Sequence, residues 1–308
     1  MGRYLLRRVI QVPIVLWILV TATFFLMRFT PGGPFDMDKQ VDPAVKAQME
    51  AKYKLDKPLP VQYGLFLWDL VRLDLGPSFK NKTMTVNEII AAKAPASAVL
   101  GLYAVVIALV LGLGAGVLAG VRQNSVFDYG SMTVAMIGLA VPTFVVGPLL
   151  ALVFGIYLGW LPVAGYEGMD GLRYLVLPAL TLALPFAARI ARLARAGMLE
   201  VIHQDYIRTA WAKGLSEQVV VLRHALRGAM LPVVSFLGPA VAQILTGSLV
   251  VEQIFGIPGI GREFVQGATN RDYTLVMGTV ILFGVLLVGF NLLVDVLYGF
   301  LDPRIRYA

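Results

Sequence analysis

The chain has 308 residues, 58% of them hydrophobic and only 15% charged, with a mean hydropathy of +0.75. Soluble domains run at roughly 45–50% apolar and 25% charged, so most of this protein faces lipid or other buried helices. The absence of cysteine excludes disulfide frameworks, thiolate metal sites and cysteine nucleophiles, while the net charge of +7 calls for an explanation along the chain.

Charge-free apolar runs occupy Val9–Met27, Ala94–Val121, Tyr129–Tyr166, Tyr174–Ala188, Gly228–Val251 and Tyr273–Val294. A helix needs about 20 residues to cross a hydrocarbon core of roughly 30 Å. Five runs are long enough, and the third has room for a helix plus a loop. The fourth, Tyr174–Ala188, reaches only about 22 Å and spans if Arg173 and Arg189 extend toward opposite interfaces. The expected fold is therefore an all-α polytopic membrane protein with six transmembrane helices and both termini cytoplasmic. Its expected organisation is a first helix within residues 1–29, an extracytoplasmic helical segment over 30–95, and a five-helix core over 96–308. A cytoplasmic loop at 200–228 interrupts that core.

Arg3, Arg7 and Arg8 precede the first run, which exceeds the usual signal-peptide core and lacks a small-residue cleavage site, so it reads as a retained anchor. With this topology the inner loops carry thirteen basic and five acidic residues, whereas the outer side carries thirteen of each. The positive-inside rule thus accounts for the basicity, and nucleic acid is not needed.

The outer segment opens on turn chemistry, Thr30-Pro31-Gly32-Gly33-Pro34, and then predicts short helices over Pro43–Leu55 and Val61–Leu73. Thr85-Val86-Asn87-Glu88 is a capping box expected to start a third. Docking an outer partner and shielding helix ends explain this segment equally well. In the second run, Gly114-Ala115-Gly116 matches a dinucleotide fingerprint only loosely and follows no strand. Gly112, Gly116 and Gly120 instead share one helical face and predict close helix packing. Pro142, Pro148, Pro178, Pro185 and Pro239 predict kinks.

Arg189, Arg192 and Arg195 form a basic stripe leading into the polar stretch Asp205–Pro232. That stretch predicts one or two short helices broken at Gly214, where glycine supplies a left-handed or tightly turned backbone. It is too small to fold as an ATPase, and the chain has no phosphate-cradling Gly-Lys-Ser/Thr loop. If ATP drives this protein, another chain binds it.

The run Arg208-Thr209-Ala210-Trp211-Ala212-Lys213-Gly214, followed by Leu231-Pro232, resembles the EAA loop of ABC-importer membrane subunits. Arg208 and Thr209 stand where that loop's consensus has Glu-Ala, and the gap to Leu-Pro is longer. Both departures resemble the oligopeptide/dipeptide/nickel branch, as do Val251-Glu252-Gln253-Ile254-Phe255, Pro258-Gly259-Ile260-Gly261 and the closing Asp302-Pro303-Arg304. The resemblance implies a bacterial inner-membrane permease that pairs with a homologous second subunit, two cytoplasmic ATPases and an extracytoplasmic solute-binding protein. ATP and Mg would sit on the ATPases, leaving this chain without a cofactor, a metal or catalytic residues. Asp205, Arg208, Ala210, Lys213 and Gly214 would lie at the ATPase contact.

Gln243, Thr246 and Ser248 are candidates for a polar path, with interhelical bonding as the competing reading. Glu252 and Arg262 are candidates for contacting the solute-binding protein. His203 and His224 lack metal-ligand spacing, and Asp295 near the end of the last run favours an interface-paired structural role over substrate or proton handling. A stand-alone secondary carrier would show intramembrane acids and inverted repeats; an intramembrane enzyme would show a nucleophile with its base or a metal cluster. The peptide importer is the leading reading, with nickel, glutathione or oligosaccharide as alternative cargo.

Overall fold

The computed structural model describes residues 2–30, 48, 50, 51, 53–167, 171–246 and 248–301. The Pro31–Pro34 turn, the tail from Asp302 and most of the expected Pro43–Leu55 helix lie outside those residues. The regular structure of the described part is all helical, with one isolated bridge between Pro77 and Thr85. Helix α1 covers Gly2–Phe29, and α2 (Leu59–Val71) lies against it. Tyr63 Oη bonds Thr21 Oγ1 at 2.6 Å, and Phe24 stacks on Phe66 with 5.5 Å between ring centres. The amphipathic outer stretch is thus folded onto the first helix by aromatic packing.

The capping box forms as expected, with the Glu88 carboxylate accepting from the Thr85 backbone N–H at 2.7 Å. It opens a much longer element than the expected third outer helix. Helix α3 runs unbroken from Val86 to Val121, 36 residues, through Pro95. At about 1.5 Å per residue that is roughly 54 Å, so the capped outer turns and the membrane span are one rod. The boundary expected at residue 95 falls inside it.

The third apolar run is two helices, α4 (Val126–Ala140) and α5 (Thr143–Leu150), the latter continuing as a π-helical turn over Ala151–Tyr157. They meet at 109°. Pro142 explains the break: it offers no N–H to continue α4, and it holds Val141 extended before starting α5. The fourth run, the shortest by composition, sits in α6 (Leu172–Ile202), the most enclosed element of the bundle. Counting stopped at Arg189, but the helix continues because Ala191, Ala194 and Met198 bury one face while Arg192 stays exposed on another. Pro178 and Pro185 leave it unbroken.

Two short elements follow, α7 (Asp205–Ala212) and α8 (Glu217–Ala229), the latter π-helical over Val220–Ala225. A 59° bend leads to α9 (Leu231–Thr246), then α10 (Leu249–Phe255), α11 (Ile260–Thr269) and α12 (Tyr273–Leu301). Among the described residues four helices are long and apolar enough to span, and the two bent pairs, α4–α5 and α8–α9, bring the number to six if each counts as one crossing.

The centre of the bundle is the α3–α6 contact. A Cβ on Gly112 would lie 2.7 Å from Ile190 Cβ, one on Gly116 would lie 2.7 Å from Ala194 Cβ, and one on Gly120 would collide with Met198. Gly114, on another face, has nothing within 4 Å. The spacing-four glycines are therefore the packing surface, as expected. Leu100, Leu175, Leu177, Ile190, Ile244 and Phe255 fill the core around it.

Candidate functional site

The expected cytoplasmic loop forms an elbow built from α7, Gly214 and α8. Ile207 and Ala210 point inward, buried against Met198, Val220, Val221, Ala225 and Ala229. The opposite face presents Asp205 and Arg208, whose side chains are 99% and 72% exposed and stand 3.7 Å apart, and Trp211. Gly214 sits at φ +75°. Its N–H donates to the Trp211 carbonyl at 2.9 Å, and the Leu215 N–H reaches back to the Ala210 carbonyl at 3.4 Å. Those two bonds make a Schellman end, and Leu215 packs on the same inner cluster. The left-handed backbone expected at Gly214 is present. Of the five expected ATPase-contact residues, Asp205, Arg208, Lys213 and Gly214 share the exposed surface, while Ala210 backs the elbow from beneath.

Above the elbow, the basic stripe divides. Arg195 is fastened to Asp128 at the start of α4, Nε to Oδ1 at 2.6 Å and Nη2 to Oδ2 at 2.8 Å. Asp128 also accepts from the Asn124 N–H at 3.0 Å. Arg189 lies over the Phe236 ring, 5.3 Å from its centre. Arg192 remains exposed.

The three path candidates separate. Gln243 is exposed on α9, Thr246 donates to the Ala242 carbonyl at 2.8 Å, and Ser248 is buried with its hydroxyl bonded to Glu252. Glu252 and Arg262 separate as well. The Glu252 side chain is fully enclosed: Oε1 accepts from Ser97 Oγ at 2.7 Å and from Ser248 Oγ, and Oε2 accepts from the Arg262 backbone N–H at 3.0 Å. It presents nothing to an outer partner here, because its oxygens are spent on α3, α10 and α11. Arg262 is half-buried, its N–H on that carboxylate.

A second buried acid was not singled out from sequence. Asp272 joins residues 78–80 of the outer segment to the start of α12 through bonds from Ser78 Oγ, Phe79 N at 3.1 Å, Lys80 N at 3.3 Å and Leu275 N at 3.2 Å. His203 Nδ1 pairs with the Leu199 carbonyl at 2.9 Å. Asp295 borders a cavity of about 230 Å³ between α1 and α12, together with Gln11 and Asn291. Among the described residues no three His, Asp or Glu side chains converge as metal ligands would.

The bundle has broken crossings and one exposed elbow, and sequence comparison decides the family. Residues 112–307 match the binding-protein-dependent transport system inner membrane component, and residues 1–101 match the N-terminal region of that system's membrane component. The chain belongs to this family. As a binding-protein-dependent transport component it is a multi-pass inner-membrane protein. It is 48% identical to the oligopeptide transport system permease protein OppB of Haemophilus influenzae over all of both chains, and equally so to OppB of Escherichia coli K12. It is 42% identical to the dipeptide transport system permease protein DppB of Bacillus subtilis, covering 99% of this chain and 98% of that one. Among solved structures, an amino acid ABC transporter crystallised with histidines shares the fold, with a TM-score of 0.53 at 17% identity over 69% of this chain and 94% of the other.

Two features of this permease have a geometry that the sequence does not show. The Val251–Gly261 motif is the shell of one buried carboxylate: a Cβ on Gly261 would sit 2.9 Å from Glu252 Oε2, and one on Gly259 would overlap the same group. The Asp128–Arg195 fork carried no local signal, since its partners are 67 residues apart.

Proposed function

We propose that this chain is the permease subunit of an ATP-driven importer that passes oligopeptides or dipeptides into the cytoplasm by alternating access. Full-length likeness to peptide-transport permeases supports the cargo class. The elbow around Gly214 supports the coupling. It is a short helix locked from beneath by Ile207 and Ala210, with cations Arg208 and Lys213 outward, which suits an acidic groove on a soluble ATPase. In this reading six crossings place both termini and the elbow inside. The chain works with a homologous second permease subunit, two ATPases carrying ATP and Mg, and an outer solute-binding protein.

In this reading the second permease subunit has a seat on the bundle. An open, largely apolar groove of about 860 Å³ runs between α3, α4 and α6, floored by Ala115, Gly130, Gly138, Ala187, Ala188 and Ala191. Small residues there allow close helix approach. The function is tested by reconstituting the chain with its co-purifying partners in proteoliposomes and following labelled peptides. ATP-dependent uptake that requires the binding protein is the expected result. Uptake driven by an ion gradient without any ATPase would make it a secondary carrier instead.

A further inference from the structure

We infer that Glu252 is a positioning residue that transmits a load on the outer helix α11 to the broken crossing and to α3; this rests on the importer reading above. The case begins with what the carboxylate touches. It is fully buried, and among the described residues no cation stands within ion-pair distance of it. Its charge is met by the Ser97 and Ser248 hydroxyls and by the N–H of Arg262 in the first turn of α11. A helix N-terminus carries partial positive charge and unpaired N–H groups, so Glu252 caps α11 from a distance. Ser97 completes the arrangement by accepting the Ile260 N–H at 2.8 Å.

The donors come from mechanically different parts. Ser97 belongs to the long rod α3, Ser248 precedes α10 just beyond the inner-to-outer crossing α8–α9, and Arg262 belongs to α11. Gly259 and Gly261 close on the carboxylate with no space for a side chain, so α11 cannot shift relative to Glu252 without displacing it. Helix α11 in turn exposes Val265, Ala268 and Thr269, on the outer side in this topology. A soluble partner pressing there moves α11, and the carboxylate passes that displacement to α3 and to the end of α9. Buried polar networks of this kind resist distortion because each lost bond leaves a group unpaired.

The test uses the whole complex with its ATPases, binding protein and peptide in nanodiscs, measuring ATPase rate with and without loaded binding protein. Glu252→Gln keeps the shape but gives an amide nitrogen to donors that need an acceptor. The expected result is at least a tenfold fall in partner-stimulated ATPase and in uptake, with the unstimulated rate and complex yield within about twofold of wild type. Should that variant not assemble, Ser97→Ala removes one of three donors and is expected to lower the stimulation ratio severalfold while leaving the complex intact. Wild-type stimulation in either assembled variant overturns the proposal, and so does a parallel fall of yield, unstimulated rate and stimulation in Ser97→Ala, which marks a purely structural bond. A wild-type complex that shows no stimulation at all sinks the importer reading rather than this one.

Discussion

Arg195 on α6 grips Asp128 on α4 through two parallel hydrogen bonds, 2.6 Å and 2.8 Å, with the carboxylate only 1% exposed. The pair spans the inner ends of two helices that sequence separates by a bend, a π-turn and a loop. Removing one partner strands the other charge; a fully buried pair loses about 3–5 kcal/mol this way, and the partial exposure of Arg195 lowers the cost here. Asp128→Ala and Arg195→Ala are therefore expected to lose most of their folded yield and to unfold at lower temperature in detergent. Arg195→Lys is expected to recover only part of it, because a single ammonium cannot reproduce the planar fork. Thermal unfolding followed by size-exclusion chromatography measures all three; equal behaviour of the lysine variant and wild type would show that the fork geometry is immaterial.

The α3–α6 seam makes a sharper contrast. Gly116→Leu places a side chain where Ala191 and Ala194 already sit, and overpacking of that kind costs about 1–3 kcal/mol or forces the helices apart. Gly114→Leu, two residues away, faces open space. Expected outcomes are loss of stable protein for the first and near-normal expression for the second. Similar yields of the two variants would mean that the seam is not the packing surface.

How much of this was legible in advance depended on the range of the interaction. The capping box at Thr85, the glycine face of α3 and the left-handed Gly214 are local, and each formed as its residues predict. Helix ends were less legible than the crossings themselves, because charge-free runs report composition rather than helix ends. Tyr174–Ala188, expected to span with Arg173 and Arg189 reaching toward opposite interfaces, lies in the 31-residue α6, which continues past Arg189 to Ile202. Tyr129–Tyr166 looked ample, yet Pro142 folds it through 109°. Glu252 reads from sequence as a candidate contact for the solute-binding protein, and the fold encloses its side chain. Only the fold brings Ser97, 155 residues away, to its carboxylate.

At the elbow, backbone strain and partner contact can be separated. A residue with a Cβ at φ +75° costs about 1–2 kcal/mol, but nothing in the chain lies within 4 Å of the Cβ position of Gly214. Gly214→Asn tolerates this conformation and is expected to keep substantial uptake. Gly214→Asp is expected to abolish uptake and co-purification of the ATPases while membrane insertion stays normal, because it sets an anion beside Arg208 and Lys213 on the docking surface. Pull-down of the ATPases with each variant, against insertion measured by membrane fractionation, reads the difference. Full uptake by Gly214→Asp removes the elbow from the coupling pathway.

Asp272 supports a prediction on the outer side. Its carboxylate holds the backbone of Phe79 and Lys80 and the first turn of α12 at once, and Thr274 Oγ1 adds a further bond at 3.0 Å. Asp272→Ala leaves buried N–H groups without an acceptor, at about 1–3 kcal/mol for such a loss. The bundle keeps its own α3–α6 core, so the loss falls on the junction between residues 78–81 and α12. Exposed Lys82 then becomes the natural reporter. Trypsin added from the outer side of oriented vesicles is expected to cut Asp272→Ala at Lys80 or Lys82 at least several times faster than wild type, with fragments mapped by mass spectrometry. Asp272→Asn, which keeps one accepting oxygen, is expected to fall between them. If all three are cut at the same rate, the outer segment is held by the aromatic contacts of Phe79 with Tyr53 and Tyr273 rather than by this carboxylate.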